Sequence, residues 1–157
     1  MFHPHKLNSL LKWILGASIA LSPVLIWKAI EPQRTDAHEV EVSGDVGATM
    51  HIEPNDNPRA GRSNLVWFAV MKKGGQPVSL SSCNCSLAVY SQPRRQNDTP
   101  IQQPALQATT AQGRQNVPSA NVTFPRAGAY ELVLRGSPKT AGAFSPFELR
   151  FAVTVAQ

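Results

Sequence analysis

Charge, cysteine and histidine are all scarce in this 157-residue chain. Only 16% of residues are charged, against about 25% in an ordinary globular protein. Two cysteines exclude a disulfide-rich scaffold and a four-cysteine zinc site. Of the four histidines, His3 and His5 precede the first apolar run, which leaves His38 and His51 for the rest of the chain. A serine triad would therefore have to use one of those two, and no G-x-S-x-G turn is present to hold its nucleophile. Gly74-Gly75 lacks the Lys-Ser/Thr and the helix of a phosphate-binding loop. The basic residues are scattered apart from Lys72-Lys73 and Arg94-Arg95, so no clustered basic face with stacking aromatics marks a nucleic-acid partner. Sustained helical periodicity is missing after Ile30, which excludes a helical bundle.

What the chain has instead is one apolar run followed by strands. Trp13 to Trp27 carries no charged residue, and Lys12 and Lys28 bracket it. Leu7 to Ile30 reaches the roughly 17–25 residues a bilayer span needs when those lysines snorkel to the headgroups. The two tryptophans sit where interfacial aromatics belong. This reads as an N-terminal hydrophobic helix acting as a signal-anchor, with residues 1–30 in the membrane, 31–37 as linker and 38–157 as one extracytoplasmic domain. The competing reading is a signal peptide cleaved after Ala37. Both place residues 38–157 beyond the cytoplasmic membrane. Without Lys6, Lys12, Lys28, Arg34, Glu31 and Asp36 the domain's net charge is +3, against +5 for the whole chain.

Within the domain, Glu39–Val42 and Ala48–Glu53 alternate polar and apolar residues, with Ala48, Met50 and Ile52 on one face. Leu65–Met71 is apolar on both faces, as in a strand covered on both sides. Cys83–Tyr90 puts Cys83, Cys85, Leu87 and Val89 on one face. Leu106–Thr109 predicts a short edge strand, and Ala120–Phe124, the segment from Gly128 and the segment from Phe147 predict three more. The Pro/Gln/Thr-rich stretch from Gln92 to Pro118 reads as the longest loop. About seven or eight short strands with frequent turns predict an all-β fold, an antiparallel immunoglobulin-like β-sandwich.

Two segments carry a resemblance. Ile52-Glu53-Pro54 through Pro58-Arg59-Ala60-Gly61 to Leu65-Val66-Trp67-Phe68 resembles the opening of immunoglobulin-like bacterial periplasmic domains of the YtkA and CopC type. Phe124-Pro125-Arg126-Ala127-Gly128-Ala129-Tyr130 is similar to the entry into the late strand that carries their tyrosine corner, where the Tyr130 hydroxyl would bond backbone. The resemblance implies a sandwich fold and an exported, often metal-associated setting. CopC-type proteins bind copper through a mature N-terminal histidine together with an aspartate and a second histidine in a D-x-H motif.

Chemistry concentrates at Cys83-Asn84-Cys85. Side chains at i and i+2 of a strand project together, so both sulfurs could serve one soft ion such as Cu(I), with Met50 as a third ligand and His51 as a fourth. Strict alternation sends Met50 and His51 to opposite faces. A disulfide is a second reading. It needs a tight turn near Ser81–Asn84, because extended geometry sets the two Cα atoms nearly 7 Å apart. Two inert thiols are the third. His38 enters a copper site only if cleavage after Ala37 makes it an amino terminus. The resulting expectation is a non-catalytic, membrane-anchored accessory or binding protein that faces a membrane-protein partner and requires no cofactor. Its alternative is a periplasmic copper-binding protein using Cys83 and Cys85.

Overall fold

The computed structural model describes residues 40–157. The apolar segment, the linker and His38 lie outside the described residues. Eight strands form two antiparallel sheets packed as a β-sandwich. The larger sheet has the order β1 (Val40–Ser43), β2 (Val46–Ile52), β3 (Ser63–Lys72), β6 (Arg114–Thr123), β5 (Gln107–Ala111). The smaller has the order β4 (Cys83–Ser91), β7 (Gly128–Pro138), β8 (Phe147–Val155). The chain changes sheet between β3 and β4, between β4 and β5, and between β6 and β7. Among the described residues no helix is long and apolar enough to cross a membrane.

Period-two alternation builds the core directly. Val46, Ala48 and Ile52 of β2 and Val66, Phe68 and Val70 of β3 meet Leu132 and Leu134 of β7 and Leu149, Phe151 and Val153 of β8. The outer residues of β3 are buried as well: Trp67 and Ala69 pack with Val117 and Ala111 on the far side of the large sheet. This second layer explains why Leu65–Met71 is apolar on both faces.

The stretch from Gln92 to Pro118, read as the longest loop apart from an edge strand at Leu106–Thr109, holds more regular structure than that. It contains β5 and the first half of β6, joined by a tight turn in which Gln112 and Gly113 take left-handed backbone conformations. Polar Gln115 and Asn116 and the proline at 118 hide this strand from periodicity. Pro118 lies just beyond the last β3–β6 pair, Trp67 with Ser119, so its missing N–H is not called on by the central ladder.

Two corners hold the sheets in register. Tyr130 is buried, its ring lies 4.8 Å from that of Phe124, and its hydroxyl donates to the Arg126 carbonyl at 2.8 Å, as the resemblance implied. At the other corner, Asn64 accepts from the Arg59 amide at 3.0 Å and donates to the carbonyls of Arg59, Arg62 and Val122. This fixes the Pro58–Arg62 turn. Ala60 N–H and Ala156 N–H then bond Ala156 O and Pro58 O, and Gly61 N–H bonds Phe124 O. The Pro-Arg-Ala-Gly segment is thus the clasp between β3, the end of β6 and the end of β8.

Candidate functional site

A polar cleft of about 470 Å³ opens on the outer face of the large sheet, between the β2–β3 connection and the β5–β6 turn. Its wall includes His51, Glu53, Asn55, Asp56, Trp67 and Gln112. The register of β2 and β3 places His51 directly opposite Trp67. The two rings stack, with centroids 4.0 Å apart and planes 14° apart. Cross-strand aromatic pairs of this kind stiffen a sheet face. Glu53 lies two residues beyond His51, and its Oε1 accepts from Trp67 Nε1 at 3.2 Å.

The turn after β2 supplies the other carboxylate. Asn55 and Asp56 both have positive φ, a conformation that Asn and Asp accept more readily than other non-glycine residues. Asp56 N–H bonds Ile52 O at 2.7 Å, and Asp56 Oδ1 accepts the Ile52 N–H at 2.6 Å. The side chain therefore closes its own turn, and Oδ2 faces His51 Nδ1 at 3.9 Å. No lysine or arginine is among the lining residues, while Glu53 and Asp56 are both present. The cleft is accordingly a pre-formed acidic concavity with a rigid aromatic floor, suited to a ligand that carries a positive charge or hydrogen-bond donors.

Cys83 and Cys85 form a disulfide, with their Cα atoms 5.2 Å apart. The tight turn expected across the pair is not what joins them: the 3₁₀ turn Leu80–Ser82 ends before Cys83, which is extended, and both cysteines lie within β4. The two sulfurs lie on the core side of β4, as alternation predicts, and Cys83 is the more deeply buried. Met50 packs against the same core from β2, while His51 is on the opposite face of that strand. The larger sheet has β2 packed across from β8, and the turn before β4 lies against β5 and β6. The structure therefore brings Cys83 and Cys85 together and sends Met50 and His51 to opposite faces of β2. Disulfide sulfurs are not thiolates, so the four residues do not fit a copper ion in this form. Among the described residues no group of three or more His, Cys, Asp and Glu side chains is placed to hold a metal ion. The D-x-H spacing occurs once, at Asp36-Ala37-His38, which lies outside the described residues.

The sequence does not by itself join Glu53 and Asp56 to His51. The signal was there in part: His51 and Glu53 are i and i+2, the first on the outer face of β2 and the second just past its end. The contribution of Trp67 depends on the β2–β3 register, and that of Gln112 on a turn read as loop.

No family model matches the chain, and no curated protein matches it. Solved structures share its fold. A copper-bound variant of FetP from uropathogenic Escherichia coli strain F11 superposes with a TM-score of 0.51 at 12% identity, covering 76% of this chain and 95% of that one. The as-isolated FetP, recombinantly expressed in the periplasm, gives 0.49 at 12% identity over 74% and 91% of the two chains. A DUF4426 family protein from Pseudomonas aeruginosa PAO1 gives 0.49 at 12% identity over 76% and 96%. At this identity the FetP variant establishes a common β-sandwich architecture, and site residues have to be argued from this chain alone.

Proposed function

We propose that this chain is a non-catalytic binding domain, held outside the cytoplasmic membrane by Leu7–Ile30 and engaging a membrane-protein partner through the His51–Glu53–Asp56 cleft. The observation that carries this reading is the cleft's construction: a stacked His51–Trp67 floor and two carboxylates fixed by hydrogen bonds to protein groups. Such preorganisation favours binding, because little ordering remains to be done when a ligand arrives. A photo-cross-linking residue at Thr110, exposed on the cleft rim, tests the reading in intact cells. The expected result is a discrete membrane-protein adduct that is absent when the same residue replaces Lys139 and weakened by Glu53→Gln. Equal adducts from both positions, or none, would overturn it.

One observation favours a second reading. Cys83 and Cys85 hold two sulfurs side by side, and a protein of the same fold binds copper. On this reading the reduced pair binds Cu(I) through two thiolates, a donor type that suits that ion. The expected outcome is Cu(I) uptake in competition with a chromophoric chelator only after reduction, and its loss in the Cys83→Ser, Cys85→Ser double variant. Full uptake by that variant would remove the reading.

A further inference from the structure

We propose that Cys83–Cys85 is a thiol–disulfide exchange site, attacked at Cys85, whose reaction partner is a dithiol. This stands independently of the cleft. The ring that the disulfide closes contains only three residues. Closing so short a loop removes less freedom from the unfolded chain than closing a longer one would. The domain already has a continuous core and two hydrogen-bonded corners, so a cross-link of this size adds little to its stability.

The two sulfurs also have unequal surroundings. Cys83 is 2% exposed, and its Sγ sits in the space that Gly136 leaves by having no side chain, next to the Phe147 ring. Cys85 is half-buried at the edge of the core, between exposed Asn84 and Ser86. A nucleophile can reach Cys85 from solvent, while Cys83 is shielded by Phe147 and the strand itself. β4 is the edge strand of its sheet, so the ladder holds the pair from β7 alone, with Lys139 N–H bonded to Ser82 O at 3.0 Å and Cys83 opposite Pro138. The segment before the pair is a single 3₁₀ turn.

In the reaction a partner thiolate attacks Cys85 Sγ, forming a mixed disulfide. The Cys83–Cys85 bond breaks, and Cys83 takes the electron pair. Burial disfavours a charged sulfur at Cys83, so it picks up a proton as it leaves. The partner's second thiol then loses its proton and attacks its own mixed-disulfide sulfur, and Cys85 departs as a thiolate that is protonated in solvent. The partner leaves as a disulfide and the chain as a dithiol, a balanced two-electron transfer. With the cross-link gone, the ends of Cys83-Asn84-Cys85 can relax from 5.2 Å toward the roughly 6.8 Å of two extended residues.

The test uses the full chain in detergent, with dithiothreitol as the dithiol and oxidised glutathione as the trap. Dithiothreitol is expected to reduce the folded protein, shifting the backbone resonances of Asn84 and Lys139 while the rest of the sandwich keeps its signals. In single variants, glutathione should be captured by Cys85 in Cys83→Ser about tenfold faster than by Cys83 in Cys85→Ser. Reduction only under denaturing conditions would overturn the proposal even if neither variant folded, since that measurement needs the natural chain alone. Capture at Cys83 as fast as at Cys85 would overturn the assignment of the attacked sulfur.

Discussion

Single residues in this chain are constrained by what their neighbours leave empty. Gly136 pairs with Cys85 on one side and Phe147 on the other. A Cβ there would come within 3.0 Å of the far end of the Phe147 ring and of Cys83 Sγ. Its need for glycine is steric and has nothing to do with backbone angle. Gly136→Ala is expected to cost about 1–3 kcal/mol, the usual range for overpacking a core. A urea titration should show a lower midpoint with an unchanged slope. Adding Phe147→Leu should recover part of the loss, because the clash is with the ring's outer carbons. Failure of that rescue would place the strain at the disulfide. None of this was legible in the sequence, where Gly136 is one glycine in an otherwise regular strand. Tyr130 was legible, because Gly-x-Tyr followed by alternating apolar residues encodes both the strand and the corner.

At the scale of elements, the turns rely on side chains to satisfy backbone groups. Asp45, in the β1–β2 turn, accepts the backbone N–H of Ser145 at 3.0 Å. That bond chiefly, with the Ser145 hydroxyl assisting, holds the Asp45 carboxyl below its usual 3.8. Glu148 on β8 is pushed up by burial, but hydrogen bonds from Arg150 and Arg135 outweigh this and leave it below its usual 4.5. In both cases the folded protein prefers the ionised form more than the unfolded chain does. The stabilisation is present above the ordinary carboxylate range and is lost as pH falls through the lowered folded values. Thermal midpoints followed from about pH 5 to about pH 2 should therefore fall, and Asp45→Asn should flatten part of that fall. An unchanged pH slope in the variant would show that the Ser145 contact carries no linkage. The part that the sequence hid was the β5–β6 turn and the first half of β6, whereas Leu106–Thr109 and Ala120–Phe124 already marked β5 and the second half of β6. Polar Gln115 and Asn116 break the alternation there, although Val117, Ala120 and Val122 of β6 are buried. The end of β5 and that turn form one wall of the cleft, so reading the turn as loop left this wall out of view.

Across the whole molecule, the legible part of the fold is the part made by alternation. Inner faces of β2, β3, β7 and β8 follow from the order of apolar residues. Which strands become neighbours does not, because β3 pairs with β6 across some forty residues of intervening chain, about the reach only a three-dimensional clasp can settle. Asn64 makes that clasp. It is 4% exposed, and its amide group serves one backbone donor and three carbonyls from two segments. Asn64→Ala would leave these groups without their partner in a place that water reaches poorly, at a cost of about 2–3 kcal/mol. The loss should not be uniform. The Ala60 and Ala156 amides, whose bonds depend on the Pro58–Arg62 turn, are expected to exchange hydrogen much faster, whereas amides in the centre of β7 should follow only the global loss of stability. Uniform acceleration across both sheets would mean that the corner has no local stability of its own and that the sandwich opens as one unit. Acceleration confined to the corner would show that the Pro-Arg-Ala-Gly turn is a separable fastening between sheets whose cores are already complete.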